Sequence, residues 1–322
     1  MHISLRPGLF AVAMLAAAGA FAQSYPDHPI RLVVPFPPGG STDVIARVLA
    51  PTLGDKLKQT IIIDNKAGAG TILGADLVAK AAPDGYTLLL SGASTFTINT
   101  LVYKQLPYDP LNSFDPLGLV GGTSLVLLAN PTVKANTLKE LVAEVKARPD
   151  GAIYGSFGSG STSQFAGEVI KSATQMRLLH VPYKGSAPLM QDLLGHQIDL
   201  SVDTVVAAAP QVASGRVKAI AVTAAKRSAV LPEVPTAAES GYPSVNFSTW
   251  FVIVGPAGLP ADVRATLEAA IAATMKEKDV QAALLKAGYD PEYGTPQDYR
   301  DRVARETAAL RPIAEAAQIK AN

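Results

Sequence analysis

Short runs of β-branched and leucine residues alternate along this chain with segments whose apolar positions recur at helical spacing. That alternation restricts the fold more than any single motif, because strand, helix, strand in succession builds βαβ units on a largely parallel sheet. Ile30-Arg-Leu-Val-Val34 reads as the first strand. Val44, Ile45, Val48, Leu49 and Leu53 then share one face of a helix. Thr60-Ile-Ile-Ile63 is the second strand, residues 72–82 a helix ended by the turn Pro83-Asp84-Gly85, and Tyr86-Thr-Leu-Leu-Leu90 the third strand. A second series begins at Thr137-Leu-Lys-Glu140, a capping box that opens a helix. Strands are expected from Ala152, Leu178, Ile198 and Lys218, separated by helical segments.

Two β runs differ from these. Residues 117–129 form an apolar stretch too long for one ordinary strand, broken at Gly121-Gly122 and suited to pass from one domain into another. Residues 246–254 are a candidate return crossing. Beyond them only helices are expected, at about residues 262–276 and 279–287, with a last one opened by Thr295-Pro296 that Pro312 should kink or end. The chain has 322 residues, of which 48% are hydrophobic and 17% charged, enough for two cores. The expected architecture is two α/β domains with a ligand cleft between them and two crossover strands. Residues 23–125 and 246–322 form the first domain, residues 126–245 the second.

The first residues carry Arg6, then the apolar run from Leu9 to Ala18, too short to span a bilayer, then Ala20-Phe21-Ala22. This is the pattern of a secretory signal peptide over residues 1–22, cut before Gln23. With no cysteine anywhere, a lipid anchor at the cut, a disulfide framework and a thiolate site are all excluded. The expected location is therefore the periplasm, free of any anchor. The net charge of +1 leaves no basic footprint for nucleic acid or a membrane surface. The four histidines are too scattered for a metal cluster, and no cofactor is expected.

Chemistry concentrates in loops that follow strands, where open α/β sheets bind ligands. Phe36-Pro-Pro-Gly-Gly-Ser-Thr-Asp43 lies between the first strand and its helix. Its glycines admit a ligand to the backbone, and the free N–H groups and dipole of the helix start favour an anion. Ser41 or Thr42 would serve equally as a plain N-cap. Phe157-Gly-Ser-Gly-Ser-Thr-Ser163 repeats the device, so that Gly40-Ser41-Thr42 and Gly160-Ser161-Thr162 match, and Ser161 with Gln164 also fits a capping box. One such end from each domain makes a clamp. Gly68-Ala-Gly-Thr-Ile-Leu-Gly74 is one residue too long for a dinucleotide fingerprint and reads as a third loop near the same cleft. Asp203 either points into the cleft or caps the helix starting near Val205. His180, His196 and Trp250 read as structural residues.

Several stretches, in order through nearly the whole chain, resemble the Bug proteins, extracytoplasmic receptors related to the tripartite tricarboxylate transporters. They are residues 25–43, Asn65-Lys-x-Gly-Ala-Gly70, Pro83-Asp-Gly-Tyr-Thr-Leu-Leu, Pro182-Tyr-Lys-Gly185, Ala219-Ile-Ala-Val-Thr223 and Leu231-Pro-x-Val-Pro-Thr236. The resemblance implies a type II periplasmic-binding-protein fold. It implies capture of a small organic acid through backbone N–H groups, hydroxyls and waters, for an inner-membrane tripartite tricarboxylate-type permease. It maps ligand contacts onto Gly39, Gly40, Ser41 and Thr42, beside Phe36. It maps others onto Gly68, Ala69, Gly70 and Thr71, and onto the stretch from Ser91 to Ser94. In the second half it maps Ser159, Gly160, Ser161, Thr162 and Ser163, then Tyr183, Lys184 and Gly185, and Asp203. The family often has His where this chain has Gln164. A monomer is expected.

Two rivals share these features. A receptor presenting its bound state to a sensor kinase would have the same fold. A periplasmic hydrolase using Ser161 or Ser41 would need a base the sequence does not assign, and the G-x-S-x-G elbow is absent.

Overall fold

In the computed structural model, which describes residues 25–316 and 318–320, the first three strands read as expected to within a few residues. The signal peptide and the cut at Gln23 lie outside the described residues. Strand β1 (Ile30–Val34) leads into helix α1 (Ser41–Leu57), then β2 (Ile61–Asn65), α2 (Ile72–Ala79) and β3 (Thr87–Gly92). β1 lies between β2 and β3, parallel to both. The two-residue period of the strands divides their side chains between two cores. Ile30, Leu32 and Val34 join Leu88 and Leu90 under α1, whereas Val33 and Leu89 pack on the other face with Ala75 and Val78 of α2.

A π-helical turn, Ser94–Ile98, runs into the short helix α3 (Asn99–Val102) and on to β4 (Phe114–Ala129). The expected break at Gly121-Gly122 is a bulge inside one continuous strand. Gly121 takes φ +109, and a Cβ there would stand 2.6 Å from the Asp290 carbonyl oxygen. The register shifts at this point while pairing continues on both sides.

The second lobe follows as α4 (Leu138–Ala147), β5 (Ala152–Ser156), α5 (Thr162–Thr174), β6 (Leu178–Pro182), α6 (Ser186–Leu194), β7 (Leu200–Thr204), α7 (Val205–Ala213) and β8 (Lys218–Val222). β5 is parallel to β6 and β7. β9 (Ser248–Pro256) then returns between β3 and β4, antiparallel to each. β4 therefore belongs to both lobes: Phe114 to Ser124 pair with β9, and Leu125 to Ala129 pair with β7, with β8 also alongside. The strand order is β2-β1-β3-β9-β4-β7-β5-β6.

After β9 come α8 (Ala261–Lys276), α9 (Lys278–Ala287), β10 (Asp290–Gly294) and α10 (Pro296–Ala316). β10 corrects the expectation of helices alone. Its sequence Asp-Pro-Glu-Tyr-Gly has poor strand propensity, and it is held by irregular antiparallel pairing to β4. Pro312 does not end α10, which runs on to Ala316. Ala308, whose carbonyl loses its helical donor at Pro312, and Pro312 itself are on the exposed face, while Leu310 and Ala314 stay buried. α10 begins against the first lobe through Tyr299 and Val303 and ends in the second lobe's core through Leu310 and Ala314, where Ile319 beyond the helix also packs. No helix among the described residues is long and apolar enough to cross a membrane.

Candidate functional site

A cavity lies where the strand ends of the two lobes face one another. The first lobe supplies Phe36, Pro37, Gly40, Ser41 and Thr42 from the β1–α1 loop, Gly92, Ala93 and Ser94 after β3, and Thr249 and Phe251 of β9. The second supplies Phe157 and Thr162, then Gly185, Ser186 and Thr204. None of these residues carries a charge. What they offer instead are hydroxyls and the N-termini of helices α1, α5, α6 and α7. Among the described residues, the N–H groups of Ser41 and Thr42 in α1 and of Ser163 in α5 have no acceptor within the chain. Helix starts with free N–H groups attract anions through both donors and dipole.

The β1–α1 loop is built by three polar side chains below the cavity. Asp43 accepts from the Gly39 N–H at 2.9 Å, from Asn65 Nδ2 at 3.0 Å and from Arg47 Nε at 2.8 Å. Asn65 Nδ2 also donates to the Phe36 carbonyl at 3.0 Å. Burial pushes the Asp43 carboxyl up, but the Arg47, Gly39 and Asn65 donors outweigh it and hold the group below the usual carboxylate range. The Tyr289 hydroxyl donates to the Ser41 carbonyl and anchors the loop from behind.

Contacts run across the cleft. Phe36 and Phe157, at matching places in the two lobes, meet edge to face with centroids 6.0 Å apart. Ser94 Oγ accepts from the Thr162 N–H at 3.1 Å, and Tyr103 Oη donates to the Ser159 carbonyl at 3.4 Å. A Cβ on Gly185 would stand 2.9 Å from Pro37. The lobes are closed upon each other.

The sequence-derived residues fall into three groups. Phe36, Gly40, Ser41, Thr42, Ser94, Thr162 and Gly185 line the cavity. Gly68, Ala69, Gly70, Thr71, Ser159, Tyr183 and Lys184 line an adjoining groove that Phe36, Phe157 and Gly185 share with the cavity. Gly39, Ser91, Gly160, Ser161, Ser163 and Asp203 line neither and support those that do. Ser91 Oγ lies 2.5 Å from Thr95 Oγ1, and Thr95 donates on to Thr71. Ser163 Oγ donates to the Val202 carbonyl at 2.5 Å. The Gly160 N–H donates to Gln164 Oε1 at 2.7 Å.

Ser161 is the N-cap of α5: its Oγ accepts from the Gln164 N–H at 3.2 Å and donates to the Gly158 carbonyl at 2.6 Å. Ser161→Ala should lower stability by about 1 kcal/mol in urea titration and weaken ligand binding only slightly. A loss of binding above tenfold would show that its hydroxyl touches the ligand.

The cap of α7 is Thr204, whose Oγ1 accepts from the Ala207 N–H at 3.3 Å; Asp203 is not the cap. Sequence reasoning missed Pro37, Ser186, Thr204, Thr249 and Phe251, and it missed Asn99 and Tyr103, which brace the cleft from α3 and just beyond. Ser186 had a usable signal, since it follows Gly185 at a helix start as Ser41 follows Gly40. Thr249 and Phe251 had none, being alternate residues of an ordinary apolar strand.

Among the described residues neither serine considered as a nucleophile has a hydrogen-bonded base. The His180 Nε2 lies 2.7 Å from Ser156 Oγ, but Ser156 is wholly buried outside the cavity and His180 stacks on Tyr154. His196 is exposed in the turn after α6. Trp250 is 2% exposed and donates to Glu306 Oε2 at 2.7 Å, a core residue. Among the described residues no group of His, Asp and Glu could hold a metal ion.

Comparison with known proteins agrees with this geometry. The tripartite tricarboxylate transporter family receptor profile, TctC, matches residues 45–319. Protein BugT of Bordetella pertussis is 38% identical over 300 residues, 93% of this chain and 92% of BugT. Among solved structures, R. palustris Rpa4515 with adipate superimposes with TM-score 0.89 at 33% identity, over 92% of this chain and 99% of that one. MatC from Rhodopseudomonas palustris with bound malate gives TM-score 0.85 at 30% identity, over 90% of this chain and 99% of that one. The expected type II binding-protein architecture of two α/β domains is therefore the fold, and the chain belongs to the TctC receptor family of the tripartite tricarboxylate transporters.

Proposed function

We infer that this protein is a periplasmic solute-binding receptor that closes around a small carboxylate and delivers it to an inner-membrane permease of the tripartite tricarboxylate type. The observation that carries this reading is the cavity itself: four helix starts and a set of hydroxyls, with no charged side chain in the lining. Such a lining suits a small anion whose oxygens accept from backbone N–H groups. The adipate and malate held by two relatives support the same class. The absence of a base beside Ser41 or Ser161 argues against hydrolysis of the ligand. In this reading the chain is exported behind a leader cut at Gln23. Residues 23–125 and 246–322 act as one jaw and residues 126–245 as the other, except that the last turns of α10 and Ile319 pack into the second jaw's core, with the sequence-derived residues of the cavity and groove as ligand contacts.

Calorimetry and thermal shift with four- to six-carbon mono- and dicarboxylates test it. Binding near micromolar is expected for at least one dicarboxylate, about −8 kcal/mol. At a hundredfold excess over the dissociation constant the ligand should add about 2.7 kcal/mol of stability. Millimolar binding for every acid in the panel would overturn the carboxylate assignment.

A further inference from the structure

We propose that Asp203 couples ligand capture to a proton: when a carboxylate enters the cavity, Asp203 takes up one proton from solvent and the two are held together. This rests on the carboxylate reading above and concerns how that same site handles charge. Asp203 is the penultimate residue of β7, wholly buried directly behind the cavity wall. Its Oδ1 accepts from Ser186 Oγ at 2.7 Å and from the Thr204 N–H at 2.7 Å, and both of those residues line the cavity. Its Oδ2 is buried with no hydrogen-bond partner. A charged carboxylate oxygen left unpaired in the interior is strongly disfavoured, and protonation removes the charge whose burial is costly.

Among the described residues no cation compensates it. The elements packed against β7 are β4, β5, α5, α6 and α7. Their titratable side chains are engaged elsewhere. Asp115 of β4 accepts from Gly258 and Leu259 N–H groups. Tyr154 of β5 donates to Glu168 of α5, which pairs with Lys171. Asp192 of α6 accepts from Tyr183. α7 carries none, and Lys184 lies in the outer groove. Burial pushes the Asp203 carboxyl up to about 7, against the Ser186 and Thr204 hydrogen bonds that lower it. A ligand carboxylate held one residue away, in a cavity without positive side chains, raises it further, because two close anions in a low-dielectric site cannot both stay charged.

The test is calorimetry of adipate and malate in buffers of different ionisation heat, between about pH 6 and about pH 8.5. Above about pH 7 the wild type should take up as much as one proton per ligand, and its affinity should fall about tenfold per pH unit. Asp203→Asn keeps an acceptor for Ser186 and Thr204 but cannot ionise. It should show no proton uptake and bind about tenfold tighter than wild type at about pH 8. Binding by wild type without proton uptake overturns the proposal. So does a folded Asp203→Asn that loses binding at every pH, since the ligand would then need the negative charge. Melting curves without ligand give an independent reading. A raised carboxyl binds more protons folded than unfolded, so wild-type stability relative to Asp203→Asn should fall as pH rises from about 5 to about 7. A constant difference overturns the proposal whatever the ligand. If the difference falls as expected but no acid binds, the carboxylate reading is what has failed, and the coupling fails with it.

Discussion

Gly160→Val should abolish ligand capture, weakening binding by about a hundredfold or more, roughly 2.7 kcal/mol, while each lobe keeps its own core. Gly160 takes φ +71, a left-handed conformation that a β-branched residue adopts only at about 1–2 kcal/mol. A Cβ there would stand 2.5 Å from Tyr103 Cε2 and 2.9 Å from Asn99 Oδ1, both on the opposite lobe. The clash therefore falls between the jaws and not within either. In the proposed clamp the helix starts of α1 and α5 converge on one ligand only when the jaws meet, so holding them apart removes half of the donors. Gly40→Val is the informative contrast. Gly40 has φ −79, and a Cβ there would meet only the Pro37 carbonyl oxygen at 3.8 Å. Valine at that position fills the cavity without strain, so binding should fall while the jaws still close. Small-angle scattering with saturating ligand separates the two: Gly160→Val should stay extended and Gly40→Val should be as compact as wild type. Binding by Gly160→Val within threefold of wild type would mean that the loop does not press against Tyr103 and Asn99 in the ligand-bound state.

Trp250→Ala should destabilise the protein by about 3–5 kcal/mol, lowering the melting temperature by about 10 °C. The indole stacks on Phe96, meets Tyr299 edge to face and lies under the Arg302 guanidinium. Its N–H donates to Glu306, whose carboxyl burial already pushes above the usual range and Trp250 helps to lower. Alanine leaves a cavity and also strands a largely buried acid. Trp250→Phe should recover part of the packing but not the hydrogen bond, and fall between. Urea unfolding followed by circular dichroism measures both, since each variant lacks the only tryptophan. A cost below about 1 kcal/mol for Trp250→Ala would show that α10 is not held to β9 through this residue.

The parts of the fold visible in the sequence were those with a local cause. Ile30 to Val34 shows its strand because both faces are buried and every residue but Arg31 is apolar. The β1–α1 and β5–α5 loops show themselves through Gly-Ser-Thr, whose residue types are dictated by backbone conformation and capping. What stayed hidden depended on distant partners. β10 exists because β4 offers it an edge, and nothing in Asp-Pro-Glu-Tyr-Gly announces that. Pro312 looked like a helix stop because the rule for proline is local, whereas Leu310 and Ala314 hold the last turns through packing on the second lobe. Asp203 and Thr204 are adjacent and both favoured caps; Thr204 caps α7, while Asp203 Oδ1 accepts from Ser186, seventeen residues away along the chain, and from the Thr204 N–H. The cavity lining from β9 was invisible for the same reason, since Thr249 and Phe251 become a wall only when their strand returns beside β3.

That return has a consequence for how the polypeptide reaches its final state. Leu89 pairs with Val254, and Phe114 with Pro256, so the central pairings of the first jaw join residues from opposite ends of the chain. The second jaw is built almost wholly from the continuous stretch between those ends. Contacts near in sequence form faster than distant ones. A chain emerging amino terminus first can thus complete its inner lobe while the outer one still waits for β9, β10 and α10. On the export proposed above, in which the chain crosses a membrane before it folds, this topology is a built-in delay: half of the molecule stays pliable until its last quarter has come through.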